Sequence, residues 1–356
     1  MPRPSSPPPQ SQPPQAQQGP SSAFPNAEES LALQASLLDA DRALAAWSEL
    51  SRIGRPDGPG IAWIAPLLMA NIAPLLPNDP WVKSYPHFLT LCRLKGRAVT
   101  EAAEITLRYL EEAQVKSLAL KGLALGATVY PSPGLRTVSD IDILVPVSDF
   151  LRASEALKKR GLKPAAEEPK TLEDLRGNHA HSFYAVKKHA PSLDLHWHVL
   201  SSARGDDDDA AFWAGAVPIV VGSTPTRALC PEDQLLHILI HGVRWTRMPH
   251  VRWVADAALI LRASSVDFRT ERFLEGAQRL DAVTSVQEGL RFVFDLLGEG
   301  EALLDQIGRV TRSPFARHAF KARATAYEKR TVTDRIALRI ESALWSRRAS
   351  RKTPKG

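Results

Sequence analysis

Sulfur and aromatic rings are scarce in this chain: two cysteines, three methionines, and aromatic residues at 7% of its 356 positions. Cys92 and Cys230 lie far apart and form no motif, which excludes a disulfide scaffold and predicts reduced thiols in a cytosolic protein. Long apolar runs are missing too. The stretch 61–76 comes nearest, but Pro66, Asn71 and Pro74 interrupt it, so no membrane span is expected. No apolar signal core follows Arg3, and no internal repeat is present, which argues against export by a signal peptide and against a solenoid. His237 and His241 have a zinc-compatible spacing, but Ile238-Leu239-Ile240 fill the gap and the protease glutamate is missing. A role lining an interface or cleft is expected for them rather than a zinc-dependent hydrolase.

What remains is an ordinary globular composition, 44% hydrophobic and 24% charged, long enough for two or so domains. The net charge of +6 and pI near 9.4 fit an anionic substrate or nucleic acid. Part of that excess is Arg347, Arg348, Arg351, Lys352 and Lys355, which a solvated tail at 347–356 explains without a partner.

Residues 1–28 are rich in Pro, Gln and Ser and read as a disordered leader. From Ser30, Leu33, Leu37, Leu44, Trp47 and Leu50 return at helical spacing until Gly54, Pro56 and Gly58 break the pattern. The apolar segment 61–76 and a longer helix over 86–114 complete a helical N-terminal region at 29–115. The texture then changes. Leu118-Ala119-Leu120 reads as a strand, Lys121-Gly122 as a turn, 123–130 as a short helix, and Asp140-Ile141-Asp142-Ile143-Leu144-Val145 as a buried strand. A helix over 150–160 follows, ended by Gly161. Strands at 182–187 and 193–199 are joined as a hairpin through 188–192, and strand-like pieces lie near 217–221 and 226–229. Asp206 to Asp209 read as a solvated loop and helix cap. From Pro231, with Glu232 and Asp233 in its first turn, the chain is helical through 231–346. The fold class is α+β: a small mixed-sheet core at 116–230 between a helical N-terminal region and a C-terminal helical domain.

On the strand, Asp140 and Asp142 project to one face. Two carboxylates that close repel each other unless a cation sits between them, and a hard divalent ion such as Mg²⁺ is the natural relief. Asp194, in Leu193-Asp194-Leu195-His196-Trp197, supplies a third carboxylate inside an apolar strand, where a charge needs a partner or a metal. Three such groups can hold two ions roughly 3.5–4 Å apart, the arrangement of phosphoryl chemistry. At Lys121-Gly122, backbone amides and a missing Cβ offer room for phosphate oxygens, with Lys121 and Arg136 as counter-charges to a triphosphate. His196 shares the face of Asp194 and could orient that carboxylate or an acceptor, though a satisfied core histidine is the equal alternative.

The order Leu120-Lys121-Gly122, Arg136, Ser139-Asp140-Ile141-Asp142, Leu193-Asp194-Leu195-His196-Trp197, and then Leu236-His237, His241, Trp253 and Asp256, resembles the nucleotidyltransferase superfamily of which DNA polymerase β is the familiar member. In particular it resembles that superfamily's uncharacterised bacterial branch. The resemblance implies metal ligation by Asp140, Asp142 and Asp194 with Mg²⁺ or Mn²⁺, and nucleotide binding by Lys121, Gly122, Arg136 and Ser139. The implied partners are a nucleoside triphosphate and an acceptor hydroxyl on a small molecule, peptide or RNA. Two departures stand out: Gly122 is followed by Leu123 where the superfamily has Gly-Ser or Gly-Gly, and the interval from Gly122 to Asp140 is longer than usual. They leave a catalytically lapsed nucleotide- or partner-binding protein as the alternative. Asp256, after Arg252 and Trp253, is expected to form a buried ion pair that packs the helices.

Overall fold

The computed structural model of the protein describes residues 23–53, 58, 60–132, 134–175, 178–185, 191–203, 206–244, 251–298, 300–310, 320–323, 331–334 and 336. The basic tail and the leader up to residue 22 lie outside them. Order begins inside the stretch read as leader. Asn26 and Glu29 form a reciprocal capping box, each side chain accepting from the other's backbone N–H at 2.9 Å, and this starts α1 (Ala27–Leu37). Just ahead of it, Phe24 packs its ring against Phe292 and Trp253, with centroids 5.2 and 6.0 Å away. The single helical pattern expected from Ser30 to Leu50 is two helices, because Leu38 is extended and Asp39 accepts from the Arg42 N–H to start α2 (Ala40–Ile53).

A 3₁₀ turn at Ile61–Trp63 leads into α3 (Ala65–Ile72); α4 (Pro80–Ser84), capped by Asp79, and the long α5 (Pro86–Glu112) follow. The sheet region then runs β1 (Leu118–Ala119), α6 (Lys121–Thr128), β2 (Asp140–Leu144), α7 (Phe150–Lys159), β3 (Leu162–Pro164), β4 (Ala180–Ala185), β5 (Ser192–His196), α8 (Ala210–Gly215), β6 (Val217–Val221) and β7 (Thr224–Ala228). Helices α9 (Pro231–Gly242), α10 (Arg252–Ala263), α11 (Thr270–Arg279), α12 (Val283–Leu297) and α13 (Glu301–Gly308) follow.

The seven strands form one mixed sheet in the order β3-β4-β5-β2-β1-β7-β6. β2 and β5 pair in parallel, as do β1 and β7, and the other neighbours are antiparallel. Strand β3 is absent from the sequence reading: it is a three-residue edge strand containing Pro164, and an edge tolerates the missing donor. Strand β5 ends at His196 rather than at 199. There the backbone N–H groups of Trp197 and His198 turn to the His179 carbonyl, and that of Val199 donates to Asp209, so the ladder loses its donors.

The pleat sorts side chains between two cores. Ile141, Ile143, Leu193, Leu195 and Trp197 face α5 and α7, packing with Val99, Ala103, Leu107, Phe150 and Leu157. Leu118, Leu120 and Leu144 face the other way, into a core shared by α1–α3 and α9–α12. Asp140, Asp142, Asp194 and His196 alternate with the first set and therefore point toward the helical block.

A buried strap sets the entry to β2. Arg136 clamps Asp256 of α10 with two hydrogen bonds of 2.8 Å, and the Tyr130 hydroxyl donates to the same carboxylate at 2.7 Å. Arg252 reaches the Thr137 carbonyl at 2.6 Å while its guanidinium lies 4.4 Å over the Trp63 ring. Asp256 is thus the buried ion-pair member expected of it. Among the described residues no helix is long and apolar enough to cross a membrane.

A chain beginning at Glu29 lacks Phe24 and the Asn26 cap, worth about 1 kcal/mol for the cap and about 1–3 kcal/mol for the ring. It is expected to melt several degrees below a chain beginning at Ala23 in calorimetry; equal melting temperatures would show that these contacts contribute nothing.

Candidate functional site

Parallel register places Asp142 opposite Asp194 and Leu144 opposite His196. Both aspartates and the imidazole therefore share one face of two adjacent strands. Asp142 is 3% exposed, and a bare carboxylate so deep would be costly. Lys121 compensates. Its Nζ donates to Asp142 Oδ1 at 2.6 Å and stands 3.4 Å from His196 Nε2, which is itself 2.9 Å from the same oxygen. A carboxylate can only accept, so Nε2 carries the imidazole hydrogen in this contact. Burial works against the charge on Asp142, but the His196 hydrogen bond and the Lys121 ammonium prevail and hold its carboxyl well below the usual range. Both contacts fall on Oδ1, leaving Oδ2 without a partner among the described residues.

Lys121 holds this position from a left-handed backbone, φ +45°, unusual for a residue with a Cβ. Asp194 is half-buried and accepts from Ser182 Oγ at 2.5 Å, Ser182 being its partner on β4. Asp142, Asp194 and His196 each offer a ligand atom within 4.8 Å of the others. Asp140 lies on the same strand face but outside that group, and accepts from Ser139 Oγ at 3.0 Å.

The remaining residues read as nucleotide-binding lie to one side. Gly122 and Arg136 line a cavity of about 500 Å³ with Gly126, Val138, Arg97 and Gly222. A Cβ on Gly122 would stand 2.1 Å from Arg136 Nη1, so the glycine's missing side chain is filled by the guanidinium. Arg136 is 9% exposed and committed to Asp256; burial opposes its charge, and Asp256 restores it, raising the pKa.

Further histidines lie near Lys121 and His196, His179 ahead of β4 and His237 on α9. The His179 ring lies 5.5 Å from that of His196, and burial, with His196 and Lys121, lowers its pKa to about 4. His237 on α9 is 2% exposed, its Nε2 has no hydrogen-bond partner among the described residues, and burial, with Lys121 and His196, lowers its pKa to about 3. His241 packs edge-on to His237 and takes Arg244 at Nε2, 2.7 Å away. Asp209 departs from the solvated reading of its run: it is buried, binding His198 Nδ1 at 2.5 Å and the Val199 N–H at 3.0 Å. Sequence reasoning left His179, Ser182 and Arg244 unassigned. The hairpin read over 188–192 would set Ser182 opposite His198; the observed register, four residues away, sets it opposite Asp194.

An Asp-x-Asp strand beside a parallel strand carrying a third carboxylate, in a mixed sheet backed by helices, is the arrangement of a nucleotidyltransferase. Residues 69–298 match the family described as uncharacterised nucleotidyltransferase, more than half of the chain, and the protein belongs to that family. No curated protein matches the chain. Among solved structures it is similar to the antibiotic-resistance factor ANT(2'')-Ia in solution (13% identity, 55% of this chain and 96% of that one, TM-score 0.36). It is also similar to crystalline ANT(2'')-Ia with adenylyl-2''-tobramycin (16% identity, 55% and 95%, TM-score 0.30). A third is an antigenic nucleotidyltransferase-like protein from Paracoccidioides brasiliensis (13% identity, 60% and 92%, TM-score 0.36). At these scores the assignment stands on the family match.

Two outcomes follow from the site's electrostatics. Lys121→Met is expected to cost on the order of 3 kcal/mol at neutral pH, because it leaves a buried carboxylate short of its cation; unchanged urea midpoints would show the pair to be idle. Because His179 and His237 have depressed pKa values, the unfolded chain binds protons first, and stability falls from about pH 6.5 down toward those lower values. Asp142, also depressed, adds stability that is complete above about pH 4 and is lost below it. His237→Leu should flatten the upper slope by up to about 1.4 kcal/mol per pH unit. An equal loss in both proteins between neutral and mildly acidic pH would mean that His237 protonates freely in the fold.

Proposed function

We propose that the protein transfers a nucleoside monophosphate from a nucleoside triphosphate to a hydroxyl of an acceptor, using a divalent cation. The observation that carries this reading is the cross-strand pair Asp142–Asp194 with a cationic group already among the ligands. The donor set fits such an ion: two carboxylates and an imidazole converge, and Asp142 keeps Oδ2 without a hydrogen-bond partner. Asp142 and Asp194 would hold the ion, with Asp140 at the rim of the same face. When bound, it supplies charge neutralisation and Lewis-acid polarisation at the phosphate.

The chain's own groups have distinct tasks in this reading. Lys121 leaves Asp142 Oδ1 for a phosphate oxygen, keeping its positive charge in the site. His196 fixes the orientation of Asp142. Asp194, with Ser182 on one oxygen, presents the other to the acceptor and takes its proton as the new O–P bond forms and the bond to pyrophosphate breaks. Positioning and charge account for most of such a reaction. Two separate cysteines without a disulfide are in keeping with a cytoplasmic location.

One observation favours a second reading, nucleotide binding without transfer: the space beside Gly122 is taken by Arg136 Nη1 rather than left for phosphate.

Pyrophosphate release and thermal shift separate the two. The protein with Mg²⁺ or Mn²⁺, each of the four ribonucleoside triphosphates and an acceptor panel is expected to release pyrophosphate with at least one nucleotide. Asp142→Asn and Asp194→Asn should each abolish release. Asp142→Asn should also lower the melting temperature without ligand, since it strands the Lys121 ammonium. That reverses the sequence expectation that crowded carboxylates strain the fold, because Lys121 supplies the cation. A nucleotide-dependent shift without pyrophosphate supports the second reading; no shift with any nucleotide overturns both.

A further inference from the structure

We propose that the protein associates with a second copy of itself through α5, the two helices packing antiparallel about Ala98. The proposal is independent of the reaction proposed above.

Helix α5 buries only part of itself. Its buried residues are Val99, Ala103, Thr106, Leu107 and Leu110, and none of its residues before Val99 is buried. Leu91 and Leu94 are each 56% exposed and Ile105 is 40% exposed, with Ala98 exposed between them. At 3.6 residues per turn these four lie within about 60° of one another around the helix and span about 21 Å along it. They form a continuous apolar strip, where a single exposed leucine would need no explanation. Arg93 and Gly96, which meet the backbone of Gly134, lie on the opposite side of the helix, so that contact leaves the strip open.

The charges of the helix select the occupant. Its first half carries Arg93, Lys95 and Arg97 and no acid; its second carries Glu101, Glu104, Glu111 and Glu112 against Arg108. That order runs against the helix dipole, which favours acids near the N-terminus and cations near the C-terminus. A second α5 running the other way sets each half against the opposite charge and lays an opposed dipole beside the first. A parallel copy would bring like charges together, and a polyanion would suit the first half and be repelled by the second. The strip also matches itself. Pairing about Ala98 sets Leu91 level with Ile105 and Leu94 level with the half-buried Ala102, while Ala98 meets its own copy. A small residue at that crossing lets the axes approach to about 8 Å. Such a contact uses the same surface on both copies and closes at two.

Sedimentation velocity of the full chain across micromolar concentrations should show monomer passing into dimer. Leu91→Glu and Leu94→Glu should each weaken the dimer roughly tenfold or more, since each change enters the contact twice. Both side chains are exposed in the single copy, so the far-ultraviolet dichroism should not change. Disulfide trapping under mild oxidation, in a Cys92→Ser background, reads the orientation. Ala98→Cys should cross-link to its own copy. Leu91→Cys alone should not, and Leu91→Cys combined with Ile105→Cys should. A chain that stays monomeric at every concentration overturns the inference, as does a dimer whose Kd neither glutamate variant moves. Cross-linking by Leu91→Cys alone overturns it too, because it would mean parallel helices. A monomer whose melting temperature falls in Leu91→Glu also overturns it, since another part of the same chain would then cover the strip.

Discussion

The parallel pairing of β2 with β5 is the constraint from which the site follows. Side chains alternate along a strand, so a slip of one residue would send Asp142 into the apolar core of Phe150 and Leu157 and turn Ile143 toward the helices. The apolar alternation of Ile141, Ile143, Leu193 and Leu195 makes that slip prohibitive. Hydrophobic burial on one face thereby places two carboxylates and an imidazole side by side on the other. The charge so buried then needs a cation at hand, and Lys121 supplies it at the end of β1 from a left-handed backbone. Strain at that residue and an ion pair beneath it are two sides of one local solution.

The helical block does more than cover this face. Through Arg136, Tyr130 and Asp256 it grips the segment that leads into β2, and through Arg252 it grips the backbone of Thr137, a few residues before Asp140. The guanidinium that forms the strap also explains Gly122, since a side chain there would collide with it. One glycine thus serves packing between sheet and helices where sequence alone pointed to phosphate contact. The buried His237 of α9 and the half-buried His179 ahead of β4 lie against this face. Burial, with the charge of Lys121 nearby, lowers the pKa of both His179 and His237.

Much of this was legible because it follows from periodicity. Period-two alternation around Asp142 and Asp194 was enough to identify both strands and the faces of their carboxylates, and the hairpin of β4 and β5 was readable from its short connection. Helix α9 announced itself by Pro231 and the acids after it. The errors lie where one part of the chain answers to a distant one. Asp209 looked solvated because three aspartates precede it; its burial depends on His198 and Val199, brought to it by the end of β5. Phe24 looked like part of a leader because its partners, Trp253 and Phe292, are far away in sequence.

The amino-acid sequence by itself determined the mixed α/β character, the apolar strands that carry Asp140, Asp142 and Asp194, and the membership of the chain in a nucleotidyltransferase family, since each depends on residue type at short spacing. Only the tertiary structure decided which of these groups meet. Strand order brought Asp142 to Asp194 and left Asp140 at the rim, the turn after β1 aimed Lys121 at Asp142, and α10 claimed Arg136. The physical reason is that a buried charge takes whatever partner the fold brings within hydrogen-bonding distance, and that distance is set by packing between elements remote in the chain.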